Sequence, residues 1–218
     1  MKIAVYGATG MVGSQIVNES LTRGHEVTAI SRRGSEVAGA KALAADLGDG
    51  QSFAEIANEH DAVILATGPS RTGGDHGEWL AAMDTAYSNA EGTRLMIVGG
   101  AGTLEIDGVR LLDSPDFPEA YKAEATTAAA AFAAVKEAPE TLDWTVLAPA
   151  PIIQPGERTG NYSTAQDSPA GNSISTQDYA VAMLDEIETP ATAAPVSPQQ
   201  TNPTPAHIRH PVSERSFT

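Results

Sequence analysis

Glycines stand at positions 7, 10 and 13, directly after the apolar run Ile3-Ala4-Val5-Tyr6 and directly before a stretch whose apolar residues Val12, Ile16, Val17 and Leu21 recur at helical spacing. A strand that turns through glycine into a helix restricts the fold sharply. Glycine takes up left-handed backbone at little cost and lets main-chain N–H groups approach an anion, while the helix that follows points its positive end at the same place. Gly7 and Gly10 permit that approach, Gly13 lets the helix lie close on the strand, and Gly24 ends the helix. The spacing is GxxGxxG rather than GxGxxG. The anion that such a turn fits is a pyrophosphate, so the chain is expected to begin with a dinucleotide-binding unit.

Beyond this point strand and helix patterns alternate. Strands are expected over 25–31, 41–45, 61–68, 94–100 and 144–149, and helices over 52–59, 79–90 and 121–136. That alternation predicts an α/β fold, a Rossmann-like doubly wound parallel sheet. At 218 residues the chain is expected to form one domain, 1–218. After Pro149 the alternation stops and proline and glycine become frequent, so a small substrate lobe is expected over 150–188, with a helix beginning near Ser175. Residues 189–206 are rich in Pro, Ala, Thr and Gln and are expected to be a disordered Pro-rich insertion; a short strand is expected over 208–217.

Composition excludes several chemistries. There is no cysteine, hence no disulfide, thiolate nucleophile or cysteine metal site. His25, His60, His76, His207 and His210 are scattered without ligand spacing and are expected to be surface residues, so no metal is expected. A net charge of −15 argues against a nucleic-acid partner, since phosphate binding needs a basic surface. No run approaches the ~20 apolar residues of a membrane span. Met1-Lys2 leads straight into the first strand, which predicts no leader, no membrane association and a cytoplasmic protein.

In parallel α/β sheets the ligand lies across the carboxyl ends of the strands, so the residues that follow each strand are the candidates. In the first turn these are Gly7, Thr9, Gly10, Met11 and Val12. After the second strand an acidic residue would suit a ribose diol; here Arg32 and Arg33 stand instead, two guanidiniums that suit a 2′-phosphate or else decorate a surface turn. Asp46 and Leu47 either receive and cover an adenine or, in the case of Asp46, cap the next helix. Ala66, Thr67 and Gly68, Gly99, Gly100 and Ala101, and Pro149 and Ala150 keep the remaining strand ends small, as a ribose and nicotinamide lying against backbone would require. The cofactor expected is NADP.

Carbonyl reduction in this kind of site uses a tyrosine acid with a lysine one helical turn later. Tyr121 is followed at once by Lys122, and the position four on is Ala125. The two are therefore weak catalytic candidates, and Tyr121 is placed rather in the wall of a substrate pocket with Trp79, Pro151, Ile152 and Ile153.

The segments Gly7-Ala8-Thr9-Gly10-Met11-Val12-Gly13, Val98 to Glu105, Asp116 to Lys122, Leu142 to Thr145 and Pro155 to Tyr162 together resemble the bacterial NAD(P)H-flavin reductases, which are atypical short-chain dehydrogenase/reductase proteins. The chain is similar also to the NmrA-like group and to flavin (biliverdin) reductase, over roughly residues 1–188. The Gly156-Glu157-Arg158-Thr159-Gly160 segment is the more specific mark. The biliverdin branch tends to carry a serine and a histidine where Ala101 and Ile152 stand here, which argues against tetrapyrrole reduction. The resemblance implies an NADPH-dependent reductase passing hydride to a planar small molecule, with FMN, another flavin or a quinone as acceptor. A non-catalytic NADP(H) sensor and, more remotely, a sugar-nucleotide epimerase or dehydratase are the other readings. The sequence leaves the oligomeric state open.

Overall fold

The computed structural model describes residues 1–190 and the backbone of 199–200. The expected insertion over 189–206 lies largely outside the described residues, and the strand expected over 208–217 lies wholly outside them. In chain order the elements are β1 (Lys2–Tyr6), α1 (Gly13–Thr22), β2 (Glu26–Ser31), β3 (Lys41–Ala44), α2 (Gly50–Glu59), β4 (Ala62–Leu65), α3 (His76–Asn89), β5 (Arg94–Val98), β6 (Glu105–Ile106), β7 (Val109–Arg110), α4 (Glu119–Lys136), β8 (Trp144–Leu147), β9 (Ile152–Gln154), β10 (Ala165–Gln166), β11 (Ser173–Ser175), α5 (Thr176–Glu188) and β12 (Gln199–Gln200).

Strands β3, β2, β1, β4, β5 and β8 lie side by side and all parallel, the arrangement that a doubly wound fold requires. Strand β12 continues the sheet parallel to β8, and β10 closes that edge antiparallel. The strand order reverses between β1 and β4, which opens a crevice at their carboxyl ends.

Both faces of the sheet are covered, and the period of two along each strand decides which side chain goes where. On β1, Ala4 and Tyr6 join Phe53 and Ile56 of α2, Met83 and Tyr87 of α3 and Val135 of α4. Ile3 and Val5 point the other way, into a cluster with Ile16 and Val17 of α1 and Tyr179, Met183 and Leu184 of α5. Each such fully buried apolar side chain contributes about 1.5–3 kcal/mol. Helix α5 thus belongs to the layer that covers the sheet, and its Tyr179 hydroxyl donates to the Leu147 carbonyl at the end of β8 (2.6 Å). Of the stretch 150–188, the part before α5 is mostly exposed but sends Ala150 and Ile174 into the core. There β9 and β11 form a two-stranded parallel pair.

Between β5 and α4 the sequence pattern gives no element, yet a hairpin of β6 and β7 stands there. Its turn is Asp107-Gly108, both residues in left-handed backbone (φ 52° and 77°). An Asp-Gly pair is the signature of this two-residue turn.

Charged side chains fasten α1 to α5. Glu19 of α1 is only 4% exposed and holds Arg23 (2.8 Å) and Arg158 (2.7 Å); Arg23 reaches on to Asp185 and Glu188 of α5. The hydrogen bond from Arg158, with help from Arg23 and against the effect of burial, pushes the Glu19 carboxyl down to about 2 from 4.5. A carboxyl lowered in this way stabilises the fold at pH values above its unfolded pKa, and the contribution disappears as pH falls through the folded value. Thermal denaturation at stepped pH should therefore show the wild type losing stability between about pH 4.5 and 2, with Glu19→Gln less stable at neutral pH and losing less over that window.

Candidate nucleotide and acceptor site

The start of α1 forms the floor of the crevice. Helices α2, α3 and α5 are each closed by a side-chain cap, Asp49 accepting from Ser52 N–H, Asp75 from Gly77 N–H and Ser175 from Asp178 N–H. Helices α1 and α4 have no side-chain cap: α1 begins after Val12 and α4 after Pro118, neither of whose side chains can accept a hydrogen bond. The backbone N–H groups of Thr9, Met11, Val12 and Gly13 have no acceptor among the described residues. Those of Gly7 and Ala8 are turned inward onto the Ile30 carbonyl (3.1 and 3.3 Å), which fastens the turn to β2. A helix end with its donors unmet, facing a switch point, is suited to an anion.

Two of the three glycines are required by contact. Gly7 has φ +77°, and a Cβ there would stand 2.4 Å from the Ala66 carbonyl oxygen. A Cβ on Gly13 would stand 2.1 Å from the Gly7 carbonyl oxygen. Gly10 is less confined, at 3.3 Å from that same oxygen, to which it donates its N–H. The cradle that these missing side chains leave, together with the unmet donors, fits the diphosphate of a dinucleotide.

Around this floor the remaining sequence candidates fall into groups. Thr9, Gly10 and Met11 are exposed on the turn. Arg32 and Arg33, after β2, are exposed and have no ion-pair partner among the described residues. The five other described arginines, Arg23, Arg71, Arg94, Arg110 and Arg158, each hold a carboxylate. Asp46 is exposed and accepts from Gly48 N–H (2.8 Å), so its alternative as a helix cap is corrected: Asp49 is the cap of α2. Leu47 is turned into the core cluster that holds Phe53 and Tyr6 instead of standing over the crevice, and Ala150 is wholly buried beside Ile174 and Tyr179. Ala150 offers no free side-chain surface to a ligand and Leu47 very little, because the collapse of the sheet layers claims them first. Gly99 has a packing duty, since a Cβ there would meet Val146 Cγ1 at 2.7 Å; Gly100 has no such contact. Ala66, Thr67 and Ala101 are half-buried, Gly68 is exposed and Pro149 is buried.

Trp79 lies in the first turn of α3, and its indole N–H donates to Thr67 Oγ1 at the end of β4 (3.1 Å). Tyr121 in the first turn of α4, Ile152 in β9 and Met11 are among the few exposed large apolar side chains of the protein, at 58%, 54% and 46%. Pro151 is exposed beside Ile152, and Ile153 packs partly against the core. Lys122 is exposed and lies 3.8 Å from Glu119, turned toward the start of its own helix. No tyrosine and lysine are brought together as a proton-donating pair.

Two side chains, Arg71 and His76, join the segment after β4 to α4. Arg71, in the segment between β4 and α3, grips Glu124 of α4 through Nε and Nη2 (2.7–2.9 Å). His76 spans the same gap, its Nε2 on the Ser70 carbonyl (2.8 Å) and its Nδ1 on Thr127 Oγ1 (2.7 Å). The described histidines are not idle surface groups: His60 joins Thr28 to the Ile56 carbonyl, and His25 meets Glu188. Asp75, the cap before His76, marks this start of α3 in the sequence; the long-range partners carry no local signal. Among the described residues no group of three His, Asp or Glu side chains could hold a metal ion, and no helix is long and apolar enough to cross a membrane.

Comparison with known proteins agrees with this geometry. A family model described as NAD(P)H-binding matches residues 7–190. The chain is 37% identical over 201 residues to an uncharacterized Bacillus subtilis protein, YwnB, covering 87% of this chain and 93% of that one. It is similar to a crystal structure from Burkholderia pseudomallei provisionally named an exported protein (TM-score 0.80, 38% identity, 92% of this chain and 98% of that chain). It is similar also to one from Streptococcus pneumoniae provisionally named an NADH-flavin reductase (TM-score 0.78, 34% identity, 92% and 97%).

The contacts at the glycines set an order of tolerance. Gly13→Ala and Gly7→Ala should each destabilise the fold by about 1–3 kcal/mol, because backbone and not a flexible side chain stands in the way. Gly10→Ala should cost less than either, as read by urea denaturation.

Proposed function

The chain belongs to the NAD(P)H-binding family, and we propose that it is an NADPH-dependent reductase whose hydride acceptor is a flat small molecule such as a free flavin or a quinone. One observation carries this reading: an uncapped helix end and glycine cradle fit to hold a dinucleotide stand beside a rim with no positioned tyrosine–lysine acid. A nicotinamide supplies the hydride. An acceptor that can draw its proton from water needs from the protein only proximity and a stacking surface.

The residues divide this work among themselves. The N–H groups of Thr9, Met11, Val12 and Gly13 receive the diphosphate. Arg32 and Arg33, unpaired in a protein that otherwise neutralises its described arginines, receive a 2′-phosphate through charge-assisted hydrogen bonds. Asp46 takes the adenine edge, while the small residues Ala66, Thr67, Gly68, Gly100 and Ala101 leave room for ribose and nicotinamide. Trp79 of α3 and Tyr121 of α4 form the acceptor wall with Pro151, Ile152 and Ile153 of the small lobe, and the name of the pneumococcal relative supports a flavin as the acceptor. We place the protein in the cytoplasm, where NADPH is regenerated.

NADPH oxidation measured with FMN, riboflavin or a quinone should give turnover. NADPH binding without turnover on any of them would replace the reductase with a sensor of the cofactor. The dinucleotide choice is separately testable by titration. NADPH should bind more tightly than NADH, and Arg32→Ala should weaken NADPH by about tenfold or more while hardly changing NADH. A wild type that prefers NADH would make the arginine pair a surface feature.

A further inference from the structure

The Gly156-Glu157-Arg158-Thr159-Gly160 segment follows β9 and is tied to the start of α5 by several hydrogen bonds. Upstream, β9 with Ile152 and Ile153 pairs with Ser173 and Ile174 of β11. Gly156 N–H then donates to Gln177 Oε1 (3.0 Å), and the Ser175 hydroxyl donates to the Glu157 carbonyl (2.8 Å). Asp178, buried in the first turn of α5, accepts from Thr159 N–H, Gly160 N–H and the Thr159 hydroxyl (2.7–2.8 Å). Two residues later the Tyr162 hydroxyl donates to Asp185. The segment is a strap laid over the start of α5.

Within that strap, the side chain that crosses to α1 is Arg158. Its Nε and Nη2 hold both oxygens of Glu19 (2.7 and 2.8 Å). The charge balance of the α1–α5 groove explains why it is drawn there. Glu19, Asp185 and Glu188 bring three carboxylates, and Arg23 alone is shared among all of them. His25 also meets Glu188, and the Tyr162 hydroxyl shields Asp185. Arg158 supplies the second full cation, and as a planar fork it can satisfy both oxygens of a carboxylate that has almost no access to water.

We propose that Arg158 is a positioning residue that registers the acceptor wall at Ile152 and Ile153 against α1, the helix whose other end faces the dinucleotide. The inference rests on the reductase reading for what the two sides hold, but not for the strap itself. Hydride transfer needs the reacting atoms within about 3–3.5 Å, and a misplacement of about 1 Å can lower the rate a hundredfold, so a wall free to drift would be costly even though Arg158 touches neither ligand.

The test compares the full-length wild type with Arg158→Ala and Arg158→Lys. For each, NADPH affinity, steady-state kinetics with flavin, and the isotope effect with deuterium at the transferred position are measured. Expected for Arg158→Ala are a fall in kcat/KM for the acceptor of about tenfold or more, a larger isotope effect as the chemical step slows, and an NADPH Kd within about twofold of wild type. Arg158→Lys, which keeps the charge but not the fork, should fall between them, and stands in if the alanine variant does not fold. Wild-type kcat/KM and isotope effect in variants that merely melt earlier would overturn the proposal. If the wild type turns over no acceptor, the reductase reading fails on its own, and hydrogen exchange decides the strap. Faster exchange in β9 and β11 of the variant, with β1 and α1 unchanged, upholds the registering role; unchanged exchange in β9 and β11 refutes it.

Discussion

The architecture depends on how closely the first turn of α1 approaches the end of β1. With no side chain on Gly13, the helix start comes down onto the Gly7 carbonyl, where even a methyl group would stand at 2.1 Å. Gly7 in turn lies against the Ala66 carbonyl in a backbone conformation that other residues strain to adopt. Two absent side chains thus bring the ends of β1 and β4 and the start of α1 into one contact, at the place where the strand order reverses. The Ile30 carbonyl takes two N–H groups of the turn and ties β2 to the same point. The donors that remain, those of Thr9, Met11, Val12 and Gly13, are left facing the crevice because nothing in the turn can reach back to satisfy them.

What the amino-acid sequence discloses follows the range of the interactions. The glycine turn and the buried strands are local patterns, so the central strands and the parallel, doubly wound sheet could be read directly, whereas their order within the sheet could not. Element ends are set by partners instead. β4 stops at Leu65, not at 68, because its ladders with β1 and β5 end at Tyr6 and Ile97. α3 begins at His76, ahead of the apolar pattern, because Asp75 caps it. The Asp107-Gly108 turn is a local signal, carried by two adjacent residues. The Arg158 bond to Glu19 spans 139 residues, and His76 finds Thr127 across 51. Nothing near either residue in the chain announces such partners. For Leu47 and Ala150, strand-end position suggested the crevice and hydrophobic burial took them elsewhere.

The acidic balance gives its cations particular weight. An exposed pair such as Arg110 with Asp113 contributes little to stability. The pairs that matter are those whose carboxylate is buried, Glu19 beneath Arg23 and Arg158, and Glu186 beside Arg94 at the other edge of α5. In such places the energy lies less in the attraction gained than in the penalty of leaving a buried charge alone. Helix α5 is therefore held by two electrostatic fixings as well as by its apolar face, and the segment that leads into it inherits that rigidity. Arg32 and Arg33 have no such structural employment among the described residues, which is why their charge remains available to a ligand.

Helix α1 consequently serves two partners at once. Its N-terminal donors have no acceptor among the described residues, while Glu19, about 9 Å further along the axis, anchors the strap that follows β9 through Arg158. Between these two points the helix is pressed against the sheet by Ile16 and Val17, both wholly buried in close packing. A tilt that improved the fit at one end would displace the other. In the reductase proposed above, the geometry between cofactor and acceptor would then be set in a part of the molecule that neither ligand touches, by the packing of one short helix between a glycine contact and a buried carboxylate.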